Sequence, residues 1–109
     1  MTIREVAGAL ALEIIHNEFE DANQASAYTS DLLSDVIAYA KEGGALITIQ
    51  AHKNTVAVAS LASISAIIIC NSRPIPPDML EAAKKEKIAI LLTKENQYTV
   101  SGRLYGLLT

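Results

Sequence analysis

Residues 66–70, Ala-Ile-Ile-Ile-Cys, form an unbroken apolar run of strand length, and related segments lie at 45–50 and 88–93. A strand with one face in water alternates apolar and polar side chains, whereas a run without alternation suits a strand covered on both faces. Parallel strands sandwiched between helices meet that condition, and joining them needs crossover segments long enough to be helical. Half of the 109 residues are hydrophobic but only 5% are aromatic, so such a core is built from Ile, Leu, Val and Ala. The pattern predicts an α/β fold, a single three-layer domain over residues 1–109 with a mainly parallel sheet of four to five strands flanked by helices.

Local signals fill in the elements. Thr2 and Glu5 make a T-x-x-E capping box ahead of a helix over 3–11, followed by a short strand over 12–16, a polar loop over 17–24 and a second short strand near 25–28. Ser30 is placed to cap a helix reaching Lys41, with Asp31 in its first turn and Leu32, Leu33, Val36, Ile37 and Ala40 on its apolar face. Gly43-Gly44 reads as its stop. A strand over 45–50 leads to a helix over 55–62, although Val56 and Val58 also alternate as a strand would. Pro77 opens the next helix, with Asp78 and Glu81 near its start and Lys84, Lys85 and Lys87 at its end, where charges of those signs suit the helix dipole. Asn96 caps a last helix reaching Leu107, in which Arg103 and Tyr105 read as surface anchoring and packing.

Charge and cysteine content narrow the partners. A formal charge of −3 argues against nucleic acid, whose binders carry a basic face. No apolar stretch approaches the roughly 18 residues of a membrane span. No signal peptide is expected, since Met1 to Arg4 is followed directly by Glu5. One cysteine excludes an intramolecular disulfide and fits a reducing cytosol, so a cytoplasmic protein is expected.

The chemistry-bearing residues gather around one stretch. Gln50, His52, Lys53 and Asn54 lie between a buried strand and a helix, at the carboxyl end of a parallel strand, where open α/β sheets place their ligands. Donors converging on a helix N-terminus favour an anion or a small polar molecule. The plain alternative is that Asn54 caps the helix while Lys53 stays in solvent. Asn71 and Ser72, with Arg73 behind them, follow the next strand and fall at the same edge. Ser30 and Asp31 join the candidates because Asp31 and Asp35 are spaced i, i+4, as a carboxylate pair on one helix face would be. Nothing indicates the burial that would tune such a pair for acid–base work. There is no G-x-x-x-x-G-K-[ST] loop, no G-x-G-x-x-G fingerprint and no G-x-S-x-G elbow. His16, His52 and Cys70 match no metal-ligand spacing, and Cys70 is expected to act as a small hydrophobe. No catalytic residue, metal or cofactor is therefore expected.

The segments YTSDLLSDV at 28–36, TIQAHKN at 48–54, AVAS at 57–60 and RLY at 103–105 together resemble stand-alone DRTGG-domain proteins, from Leu12 onward. That resemblance implies a fold similar to the N-terminal, non-kinase domain of HPr kinase/phosphorylase, without kinase activity. The naming motif departs here: Ala51-His52 stands where relatives have Asp-Arg, and Cys70-Asn71-Ser72 where they have Thr-Gly-Gly. Such domains also occur beside nucleotide-sensing CBS domains in regulated pyrophosphatases, where they contribute to dimerisation. The resemblance therefore implies a non-catalytic regulatory or ligand-binding module that self-associates as a homodimer. Similar small proteins lie in anaerobic, hydrogenase-linked gene neighbourhoods, which implies as the alternative a protein-interaction subunit of a redox system. A hydrolase or phosphotransferase using Asp31 or His52 is the third reading.

Overall fold

The computed structural model describes residues 1–109. In chain order the elements are α1 (Ile3–Leu10), β1 (Glu13–Ile14), β2 (Ala27–Thr29), α2 (Leu33–Tyr39), β3 (Ala45–Thr48), α3 (Lys53–Leu61), β4 (Ala66–Ile69), α4 (Pro77–Glu86), β5 (Ala89–Leu92) and α5 (Gln97–Leu108). The strands form one sheet in the order β1-β5-β4-β3-β2. Strands β2 to β5 run parallel, and β1 is antiparallel to β5. The α/β architecture expected from the apolar runs is the one the chain adopts.

The unalternating runs are buried on both sides, and their residues divide by parity between two cores. Ala45, Ile47, Ala66, Ile68, Cys70, Ala89 and Leu91 pack with Ile3, Val6 and Leu10 of α1 and Val100 and Leu104 of α5. Leu46, Ile67, Ile69 and Ile90 pack on the other face with Val36 of α2, Val56 and Ala59 of α3, and Met79 and Ala83 of α4. Ile67, Ile68 and Ile69 are all fully buried. Each such side chain contributes about 1.5–3 kcal/mol of transfer free energy.

Several boundaries differ from the sequence expectation for identifiable reasons. Helix α2 begins at Leu33 and has no side-chain cap, because the Ser30 hydroxyl accepts from the amide of Leu32 and Asp31 is held elsewhere. It ends at Tyr39, so Gly43-Gly44 is not its stop. Gly43 instead takes φ +77° in the turn before β3, and a Cβ on Gly44 would lie 2.7 Å from the carbonyl oxygen of Ser26. Both positions therefore favour glycine, one for its backbone angle and the other for close approach. Helix α3 starts at Lys53, two residues before the expected Thr55, and buries Thr55, Val56 and Ala59 at helical spacing, which removes the strand alternative for Val56 and Val58. The expected capping box holds: Thr2 Oγ1 accepts from the Glu5 amide at 3.2 Å, and Glu5 Oε1 accepts from the Thr2 amide at 2.8 Å. Two amides at the start of α1 are thereby satisfied.

Topology fixes where a crevice can open. Helices α2, α3 and α4 all cover one face, so the loops after β2, β3 and β4 leave the sheet toward the same side. Helix α5 covers the opposite face, so the loop after β5 turns the other way. Adjacent strands whose following loops diverge are the place where open α/β sheets form a ligand crevice. In this sheet that place is between the carboxyl ends of β4 and β5.

Candidate functional site

Asp31 is the most connected side chain at the carboxyl edge. Its Oδ1 accepts from the Thr48 hydroxyl at 2.8 Å, the Ile49 amide at 2.9 Å and Gln97 Nε2 at 3.0 Å. One carboxylate oxygen thereby joins the loop after β2 to the end of β3 and to the first turn of α5. Gln50 Nε2 adds a bond to the Asp31 carbonyl at 3.2 Å. Partial burial pushes the Asp31 pKa upward, but the bonds from Ile49, Thr48 and Gln97, helped by the charge of Arg73, outweigh it and hold the carboxyl below the ordinary aspartate range. Asp31 is therefore a charged clasp and not a helix-start residue. Its supposed pair is apart from it: Asp35 Oδ2 accepts from the Tyr28 hydroxyl at 2.7 Å. That bond raises the Tyr28 pKa because it favours the protonated phenol.

The turn after β3 is closed by its own side chains. His52, not Asn54, caps α3: its Nδ1 accepts from the Asn54 amide at 3.1 Å. The Thr55 hydroxyl donates to the Gln50 carbonyl at 2.7 Å and fastens the same turn. An anion at this helix end meets an amide that already has a partner. Lys53 and Asn54 project into a shallow groove between α3 and α4, shared with Ala82, Lys85 and Glu86.

The loops after β4 and β5 are tied to each other by backbone. The Asn71 amide donates to the Glu95 carbonyl at 3.0 Å, and the Ser72 amide to the Thr93 carbonyl at 2.9 Å. Both residues are left-handed, with φ of 60° at Asn71 and 51° at Ser72. A left-handed backbone is free for glycine and tolerated by asparagine, but costs other residues such as serine about 1–2 kcal/mol. Asn71 and Ser72 thus keep a glycine-like path without glycine. Beside them, on the α1 and α5 side of the sheet, lies a cleft of about 370 Å³ lined by Ser72, Lys94, Glu95 and Arg103 together with Glu13 and Leu92.

The candidates named from sequence therefore occupy three neighbourhoods at one sheet edge. Ser30, Asp31 and Gln50 belong to the clasp; His52, Lys53 and Asn54 to the turn facing α4; Asn71 and Ser72 to the diverging loops. Gln97, Lys94 and Glu95 are not among the sequence candidates, and Arg103, expected as a surface anchor, lines the cleft. The signal that points to them is topological: they flank the strand whose helix crosses to the opposite face. Cys70 is fully buried, and burial first, then the Asp31 carboxylate, pushes its thiol up to about 11, so it is poorly suited to nucleophilic or redox work. His16 is buried too, with Nε2 donating to the Ile88 carbonyl at 2.8 Å and Nδ1 accepting from the Glu18 amide at 3.0 Å. No three His, Cys, Asp or Glu side chains lie together as a metal would need, and no helix is long and apolar enough to cross a membrane.

Comparison with known proteins fits this geometry. No curated protein matches the sequence. Among solved structures, the chain is similar to the crystal structure of the CBS and DRTGG domains of the regulatory region of Clostridium perfringens pyrophosphatase, complexed with its activator diadenosine tetraphosphate. The TM-score is 0.75 at 16% identity, over 94% of this chain and 45% of that one, so the likeness is one of fold and spans less than half of that chain. The family model of the DRTGG domain matches residues 5–107, nearly the whole sequence, and the chain belongs to the DRTGG domain family.

Proposed function

We propose that this chain is a non-catalytic, cytoplasmic regulatory module that binds a small polar or anionic ligand at the carboxyl edge of its sheet and acts as a homodimer. The observation that carries the ligand reading is the crowding of polar side chains from successive strand-to-helix loops, Asp31, Gln50, His52 to Asn54 and Asn71 to Arg73, onto that edge. Membership of a regulatory domain family supports it, as does the activator bound by the pyrophosphatase regulatory region. The states of Cys70 and Asp31 agree with a binding role, since burial raises the thiol pKa and Asp31 is engaged by three donors.

A thermal-shift series against nucleotides, phosphorylated metabolites and simple anions tests the reading, because a ligand at a hundredfold excess over its Kd stabilises the fold by about 2.7 kcal/mol. A rise in Tm with at least one of them is expected, and a flat response across the series contradicts it. Lys53→Ala with Asn54→Ala then locates the site: a lost response places it at the turn after β3, and a retained one places it elsewhere on the edge. No phosphoester turnover is expected from the wild type.

Self-association rests on the exposed apolar surface beside the free edge of β2. Leu32, Ile37 and Tyr39 are exposed on the α2 side of the sheet, and Tyr105 of α5 is exposed beside β2 on the other. Light scattering after size exclusion is expected to give twice the chain mass. A strict monomer at micromolar concentration contradicts the dimer and leaves that surface to a different protein, as a docking subunit of a redox system would need.

A further inference from the structure

From the cleft beside the diverging loops we infer that the ligand of this module is a free α-amino acid, its carboxylate taken by Arg103 and Lys94 and its ammonium by Glu13 and Glu95. The inference rests on the carboxyl edge being a ligand edge and goes further by naming the place and the chemistry. The cleft sits beside the divergence of the β4 and β5 loops, and its volume of about 370 Å³ is ample for an amino acid. Its charged lining is balanced: two cations, from the loop after β5 and from α5, and two carboxylates, from β1 and from that same loop.

That balance selects among ligands. A polyphosphate gains from Arg103 and Lys94 but is repelled by Glu13 and Glu95. No aromatic side chain lines the cleft, so a nucleobase has nothing to stack on. A zwitterion satisfies both signs at once: the guanidinium fork of Arg103 suits a carboxylate, the Glu13 and Glu95 carboxylates suit an ammonium, and Leu92 offers an apolar wall for a side chain. Glu95 joins the internal hydrogen-bond network through its backbone, its amide donating to Thr93 Oγ1 at 3.1 Å and its carbonyl accepting from Asn71, so that residue is positioned while its carboxylate remains for a ligand. The paired loops and the left-handed backbone at Ser72 hold this wall in place before any ligand arrives, which lowers the ordering cost of binding.

The test is an NMR titration of the full chain with each standard L-amino acid in turn at millimolar concentration, with inorganic phosphate and AMP as separate probes. At least one amino acid is expected to shift the amides of Glu13, Ser72, Lys94 and Arg103. Arg103→Gln and Glu13→Gln, both at exposed positions, should each weaken it about tenfold or more. The deaminated and the decarboxylated analogues of that amino acid should lose affinity similarly. Silence toward every amino acid, or equal binding by the deaminated acid, overturns the inference. Phosphate or AMP shifting Lys53 and Asn54 while the cleft stays silent also overturns it, yet leaves the ligand-binding role intact. A chain silent to every probe removes both.

Discussion

The turn after β3 and the loop after β4 lie at the same sheet edge, both follow four-residue strands buried throughout, and they resolve their backbone polarity in opposite ways. The first is closed by side chains: His52 caps α3, Thr55 closes onto Gln50, and Asp31 reaches in from the loop after β2 to the Ile49 amide. The second makes its bonds to another loop, through Asn71 to Glu95 and Ser72 to Thr93, and does so in a left-handed conformation with no glycine to ease it. A loop bonded to its neighbour fixes the relative position of two walls, and here those walls border the cleft that holds Arg103 and Lys94. Strain kept at such a place fits a positional role, because relaxing it would free the walls.

Substitutions can break or sharpen this contrast. Asp31→Ala should have the largest effect, about 2–4 kcal/mol of lost stability in urea melts, because it orphans the fully buried Thr48 hydroxyl and the Ile49 amide together. An unchanged midpoint would show that the clasp holds nothing. Asp31→Asn should lose less, and its deficit should depend on pH. The folded-state pKa of Asp31 lies below its unfolded value, so its charge contributes stability above the unfolded pKa of about 3.9 and loses it as pH falls through the folded value. The gap between wild type and variant is therefore full at neutral pH and closes in the acid limb; a gap that widens there contradicts the sign.

Smaller effects separate the two loops directly. His52→Ala should cost about 1 kcal/mol, the usual loss on removing a helix cap, and should leave the loop after β4 unchanged in NMR spectra. Ser72→Gly should do the reverse and stabilise by about 0.5–1 kcal/mol, since glycine adopts the left-handed φ at this position without strain but adds chain entropy to the unfolded state. A destabilising Ser72→Gly would mean that the serine side chain contributes more than its backbone costs.

What the sequence discloses and what it hides follow from the range of the interactions involved. The apolar runs, the Thr2–Glu5 box and the Asn96 cap are legible because each depends on neighbours within one or two turns. Asp31 reads wrongly as a helix-start residue because its real partners, Thr48, Ile49 and Gln97, lie 17, 18 and 66 residues away, and together they outweigh a helix start close at hand. His52 escapes notice as a cap because histidine is not among the preferred capping residues, and Asn54 two positions on looks better. The left-handed pair Asn71-Ser72 carries no glycine to announce it, although the family resemblance marks the position where two glycines usually stand. The cleft is illegible in the sequence, since Glu13, Ser72, Lys94 and Arg103 meet only once the strand order and the side taken by α5 are known.

The central claim is that the carboxyl edge binds its ligand at the diverging loops and not at the turn after β3. Amide hydrogen exchange, followed with and without whichever amino acid or nucleotide raises Tm, tests it most directly. Increased protection at Asn71, Ser72, Lys94 and Glu95, with Lys53 to Thr55 unchanged, is the predicted result. Protection that rises at Lys53 to Thr55 while the loops after β4 and β5 stay as they were would contradict it.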